Sequence, residues 1–197
     1  MPMLDLNPAA QEVRRLLDGV QDDQLSDATP CEGRPVAAML DHLMGLTLAF
    51  KWAATKDLPP GAGGRPQPAA DSLDPDWRTV LPGRLDALAE AWQDPQAWTG
   101  MTEAGGIQLP GEVAGLVALD EVVLHGWDLA RATGQSFRCD PASAEAVLGF
   151  TEASARPDQS PRREGLFGPV VRVPDDAPVL DRALGFAGRD PSWQAPG

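Results

Sequence analysis

The sequence predicts a mainly α-helical fold, an antiparallel four-helix bundle with a long crossover and minor extended segments. Three observations carry that expectation. Apolar residues recur at helical spacing in four substantial stretches. Prolines, glycines and capping residues punctuate those stretches. One connection, residues 57–76 with "LPPGAGGRPQP" inside it, is too rich in breakers for a regular element and long enough to act as a crossover or a flap.

The first helix is expected over residues 8–20, because Asn7 before Pro8 reads as a cap followed by a first-turn proline, and Val13, Leu16, Leu17 and Val20 then share one face. The polar stretch "QDDQLSDATPCEGR" reads as a loop, and Pro35 opens a second helix running to about Lys56. Its apolar residues Met39, Leu43 and Leu46 share a side with His42, so His42 faces inward. A third helix uses Trp77, Val80, Leu81, Leu85, Leu88 and Trp92; Pro82 and Gly83 are expected to kink it or mark its start, which leaves 83–92 as its firm part. "WTGMTEAGGIQL" has short extended runs around Gly105 and Gly106, the pattern of a small hairpin. Pro110 opens the longest helix, which ends at Gly134. Asp140 and Pro141 begin a fifth helix to about Ala155. A Pro/Arg-rich loop, an extended "PVVRVP", a final helix from about Ala177 to Ala187 and a tail complete the chain.

At 197 residues and 43% hydrophobic, the chain is sized for one domain with a full core. The formal charge of -13 and a pI near 4.4 disfavour phosphate backbones and anionic lipid surfaces, so neither nucleic acid nor membrane is an expected partner. No apolar run approaches the roughly 20 residues of a membrane span, and the start carries no basic leader, so a cytoplasmic location is expected. Cys31 and Cys139 stand far apart without CxxC spacing, which argues for reduced thiols rather than a redox pair or a cysteine zinc cage.

The chemistry concentrates in "LDEVVLHGWDLARATGQ", Leu119 to Gln135. Glu121 and His125 are spaced i, i+4, so both emerge from one face of a helix. Together with inward-facing His42, the only other histidine, they make up the two-imidazole, one-carboxylate set of catalytic zinc sites, where a fourth position is left for water or substrate. Nickel, iron or cobalt also suit that set. A solvated pair or a satisfied core histidine has the same spacing, and the pattern alone leaves these readings open. Asp128 is placed to accept from the other nitrogen of His125 or to pair with Arg131. No Ser-His-Asp arrangement competes, and with both histidines on a metal any proton shuttle would fall to Glu, Asp or water. Cys31 reads as a small buried apolar residue, and Trp52 and Trp127 as pocket walls or core.

Three stretches carry a family resemblance: "ATPCEGRPVAAMLDHLMGL", the "E-x-x-x-H-x-x-D-L-A-x-A-T-G" pattern from Glu121, and the tail "LFGPVVRVPDDAPVLDRALGFAGRDPSW". They resemble the DinB-like metal-binding four-helix bundles, specifically the mycothiol-dependent maleylpyruvate isomerase N-terminal-domain group. The resemblance implies that His42, Glu121 and His125 are metal ligands, with a water completing the site and a substrate thiolate able to replace it. It implies a divalent cofactor, zinc in first place, with mycothiol as cosubstrate, and a metal-dependent thiol S-transferase or isomerase acting on a small electrophile. A metal-dependent hydrolase and a non-catalytic metal- or ligand-binding bundle are the alternatives, and a homodimer is compatible with either. Residues 1–137 are expected to form the metal-binding core and 138–197 a C-terminal helical extension packed on the same domain. Arg34 stands where the family usually has tryptophan after "C-E-G", and the larger second domain of the full-length isomerases is not expected here.

Overall fold

In the computed structural model, which describes residues 3–61, 68–156 and 166–195, the apolar stretches fold into six α-helices. They are α1 (Asn7–Leu17), α2 (Val36–Thr55), α3 (Trp77–Ala91), α4 (Gly111–Ala132), α5 (Pro141–Ser154) and α6 (Val179–Phe186), with β1 (Met101–Ala104) and β2 (Ile107–Pro110) between α3 and α4. The first four form the bundle: α1 and α2 each pack against both α3 and α4. On the outside of α4 lies α5, and α6 lies on α5. Because α4 is covered on so many sides, Ala118, Leu119, Val122, Val123, Leu129 and Ala130 are all fully buried, as a helix apolar around its circumference requires.

Most expected elements form, with shifted ends. Asn7 is the first residue of α1 rather than its cap, and its amide is met instead by Asp5 Oδ1 at 2.9 Å. The helix stops at Leu17, short of Val20. In α3 the structure corrects the start expected at Pro82 and Gly83: the helix begins at Trp77 and runs through Pro82. The amides of Thr79 and Val80 both reach Asp76 O, so the first turn closes before the proline, and buried Trp77, Leu81, Leu85 and Leu88 hold the stripe together despite the donor that Pro82 lacks. The "PVVRVP" segment forms no strand; Val171 N bonds instead to Gly185 O at 2.9 Å beside α6, which spans 179–186 rather than 177–187. Within 57–76 the described residues include a short 3-10 turn at Ala70–Ser72, and Ala69 N is tied to Asp41 Oδ2 on α2 at 3.1 Å. Residues 62–67 of this connection and 157–165 of the Pro/Arg-rich loop lie outside the described residues.

The expected hairpin is present. Gly105 and Gly106 have φ of 57° and 80°, the two left-handed positions of a type I′ turn, and Thr102 Oγ1 ties β1 to Ala53 O at the end of α2. Beside it, Trp92 and Trp98 meet edge to face, with ring centroids 5.0 Å apart. A Cβ on Gly115 would come within 2.5 Å of Trp98, so this aromatic pair explains a glycine in mid-helix.

Glu12, on α1, fastens the segment that leaves α4. Its carboxylate binds Arg15 and accepts the amide of Arg138 at 2.8 Å, while Arg15 Nη2 reaches Ser136 O at 2.6 Å. Burial opposes the charge of Glu12, but these bonds outweigh it and hold its pKa below the ordinary carboxylate range. A depressed folded pKa stabilises the protein above the unfolded value, about 4.3, and that contribution is lost as pH falls through the lower folded value. Glu12→Gln is therefore expected to lower stability in urea unfolding at pH 7 by about 1–3 kcal/mol. The gap to wild type should close on acidification through that window; a gap independent of pH would show that shape, not charge, fastens the segment.

Candidate metal centre

The packing of α2 on α4 brings three side chains distant in sequence to one point. His42 Nε2 lies 3.1 Å from Glu121 Oε2, and His125 Nε2 lies 3.0 Å from the same oxygen. All three donor atoms fall within 4.8 Å of one another, and the two imidazoles stand edge to face with centroids 4.7 Å apart. Zinc takes nitrogen and oxygen donors at about 2.0–2.2 Å, so one ion can touch all three. Side-chain exposure is 17% for His42, 24% for Glu121 and 9% for His125, so the cluster is open on the His42 and Glu121 side, where a further ligand can approach.

The tautomer of His125 is set from behind. Its Nδ1 lies 3.0 Å from Asp128 Oδ2, so a neutral ring that donates there presents a bare Nε2 to the Glu121 carboxylate. Two electron-rich atoms 3.0 Å apart need a proton or a metal cation between them. His42 Nδ1, in turn, is buried without a hydrogen-bond partner. The donor set and its convergence on one oxygen thus fit a bound divalent ion.

Asp128 is fully buried and held from its other side by Arg189, whose Nη2 donates to Oδ2 at 2.9 Å and whose Nε donates to Oδ1 at 3.1 Å. Arg189 reaches it because of how α6 ends. Gly188 takes φ of 82°, its amide bonds Gly185 O at 3.1 Å, and Arg189 N bonds Leu184 O at 2.9 Å, a Schellman closure that turns the chain back toward α4. A side chain at Gly188 would meet the backbone of Gly168 at 2.7 Å, so both conformation and space demand glycine. Of the two roles open to Asp128, the structure shows the contact with His125; Arg131 turns instead to Trp193 O.

Electrostatics follow from these contacts. Burial opposes the charge of Glu121, yet hydrogen bonds from His125 and His42 hold its pKa well below the carboxylate range. Burial likewise opposes a charged His125, but Asp128 and Glu121 raise its pKa above the usual histidine value. For His42 burial wins over Glu121 and, with repulsion from His125 and Arg34, lowers the pKa, favouring the neutral ring a metal requires. Burial acts against the charge of Asp128 as well, and Arg189 and His125 overcome it. Asp120, next to Glu121 in sequence, is 2% exposed; burial and the Glu121 charge push its pKa well up.

Cys31 is half-buried within 4.8 Å of donor atoms on His125 and Asp128, closer to the site than a plain core residue; burial and then the Asp128 charge raise its pKa. Cys139 joins neither group of converging donor atoms among the described residues, and its thiol is pushed up to about 12 by burial and by Asp140. Trp127 is buried beneath Arg131, and Trp52 is half-buried. A surface cleft of about 670 Å³ runs between Leu25, Leu73, Trp77 and Arg78, and none of the cluster residues lines it. Arg189 and Asp120 are the site neighbours that sequence reasoning missed. The only signal for Arg189 is its place directly after a helix-stopping glycine.

Residues 6–130 match the mycothiol maleylpyruvate isomerase N-terminal domain family. The chain belongs to this family. An uncharacterized protein of Mycobacterium tuberculosis, recorded in strains CDC 1551 / Oshkosh and ATCC 25618 / H37Rv, is 27% identical over 191 residues, covering 95% of this chain and 97% of its own. The crystal structure of a mycothiol-dependent maleylpyruvate isomerase matches with a TM-score of 0.61 at 18% identity, over 96% of this chain and 79% of that one. A histidine-to-alanine mutant of such an isomerase matches with a TM-score of 0.57 at 18% identity, over 74% of this chain and 66% of that one. At that identity the likeness is one of fold. The mycothiol maleylpyruvate isomerase N-terminal domain family is therefore a mainly helical, DinB-like frame on which this chain carries the His42, Glu121 and His125 cluster.

The buried Asp128–Arg189 pair yields a stability test. Asp128→Ala leaves a guanidinium buried and unmatched, which should cost about 3–5 kcal/mol in chemical denaturation. Adding Arg189→Met removes that charge, and the double variant should recover a large part of the loss. Equal stability of the single and double variants would show that the pair does not act as a buried ion pair.

Proposed function

We propose that this chain is a metal-dependent thiol S-transferase or isomerase, with mycothiol as the expected cosubstrate and a small electrophile as the acceptor. One observation supports it above others: two imidazole Nε2 atoms share one carboxylate oxygen, one of them fixed from behind by a buried Asp–Arg pair, in a member of the mycothiol maleylpyruvate isomerase N-terminal domain family. His42, Glu121 and His125 would hold the ion, and zinc is the first candidate for this donor set.

A bound divalent ion would lower the pKa of a thiol beside it so that the thiolate forms near neutral pH. The remaining work belongs to the chain. Asp128 keeps the His125 proton on Nδ1, Arg189 keeps Asp128 charged and in place, and the open side at His42 and Glu121 admits the thiol and its acceptor. We place the site in a core of residues 1–137, with 138–197 as an extension that contributes Arg189. The unpaired thiols of Cys31 and Cys139 fit a reducing, cytoplasmic setting, and among the described residues no helix is long and apolar enough to cross a membrane.

His125→Ala tests this reading. The core is large enough to fold without an ion, and alanine has a better helix propensity than histidine, so the variant should keep its far-UV circular dichroism. Elemental analysis should find one divalent ion per wild-type chain and none in the variant, which should also have no thiol-transfer activity. Cobalt-substituted wild type should change its visible and near-ultraviolet spectrum on titration with mycothiol. Protein purified without chelator and devoid of any ion would remove the metal centre altogether. A cobalt spectrum indifferent to every thiol would point to a metal-dependent hydrolase or to a non-catalytic binding bundle.

A further inference from the structure

Arg34 belongs to a turn that walls the site. Ala28 and Pro35 pair across its base, Arg34 N donates to Cys31 O at 3.1 Å, and Arg34 O accepts from Thr29 Oγ1 at 2.7 Å. The same turn holds the Cys31 sulfur within 4.8 Å of donor atoms on His125 and Asp128, so its backbone is fixed against the cluster. The guanidinium is only half-exposed, its Nη1 is buried with no hydrogen-bond partner, and among the described residues no carboxylate pairs with it. In a chain with 29 acidic and 16 basic side chains, an unmatched cation with a buried, unsatisfied donor is anomalous, because burial of such a group without a partner costs free energy.

The other charges of the site are matched. Asp128 is paired with Arg189, and Glu121 with the two imidazoles. Arg34 shares its turn with Cys31, whose sulfur lies within 4.8 Å of donor atoms on His125 and Asp128, and this puts the residue beside the cluster. A guanidinium offers a planar fork of donors matched to a carboxylate. We propose that Arg34 is a specificity-determining residue, binding a carboxylate borne by the small molecule that engages the His42, Glu121 and His125 cluster. This rests on the thiol reading of that cluster and narrows its substrate class to molecules with an anionic arm.

The test uses cobalt-loaded protein and a pair of thiols that differ only in charge, 3-mercaptopropionate and its methyl ester, with affinity read from the sulfur-to-cobalt band. Wild type should bind the acid about ten-fold to a hundred-fold more tightly than the ester. Arg34→Gln should abolish that preference, and Arg34→Lys, which keeps the charge without the fork, should retain part of it. A preference that survives Arg34→Gln would mean that the carboxylate chelates the metal itself, and would overturn the proposal. A second arm asks whether the carboxylate belongs to the acceptor instead: in zinc-loaded protein saturated with the ester, propionate should then shift the Arg34 Nε–H resonance. Acid and ester binding alike, with that resonance unmoved, would also overturn the proposal. If neither thiol perturbs cobalt while propionate still moves the resonance, the thiol reading fails and the carboxylate subsite stands.

Discussion

The carboxylate of Asp128 sits where no water reaches it, gripped by Arg189 on one side and by the Nδ1 of His125 on the other. A buried charge of this kind is tolerated only when fully matched, and here the matching fixes two elements relative to one another: α4, which carries both Asp128 and His125, and the closing turn after α6, which carries Arg189. The orientation of the His125 ring, and with it the direction of Nε2, depends on that contact. So does the geometry toward Glu121 and His42, because an imidazole free to rotate would not hold its lone pair on a single carboxylate oxygen.

Much of this was legible in the sequence, and the reason is local. The i, i+4 spacing of Glu121 and His125 on an apolar stretch fixes their common face whatever the helix packs against, and the inward side of His42 follows from Met39, Leu43 and Leu46. The Gly105-Gly106 turn carries its own conformational signature. The residues that escaped notice act over distance. Arg189 lies 61 positions from Asp128, and nothing in "GFAGRDP" announces its partner; only the path of the chain after Gly188 does. Pro82 misled for the complementary reason: a local rule offered it as the start of the helix, and the buried stripe of Trp77, Leu81 and Leu85 carries the helix from Trp77 through it.

The site also shows a division between rigid and approachable parts. The imidazole of His125 is backed by packed, charged and fully satisfied groups, whereas Glu121 and His42 face the side where solvent enters. Such asymmetry suits a centre that must hold its ligand frame while exchanging what occupies the open side. The turn carrying Cys31 and Arg34 borders this region and is closed by its own backbone bonds, so changes in its side chains need not disturb the helices beneath.

The Schellman closure after α6 makes the last helix a thermodynamic partner of the centre. Arg189 can reach Asp128 only while Gly188 holds its left-handed turn against Gly168, so docking of the C-terminal helix and the alignment of His125 are two readings of one equilibrium. Linkage then works in both directions: whatever occupies the cluster and prefers an aligned His125 must protect residues 179–189 from local opening, and whatever loosens that end must weaken occupancy by the same factor. Hydrogen exchange at the amides of α6 would therefore report on a ligand bound at the junction of two other helices.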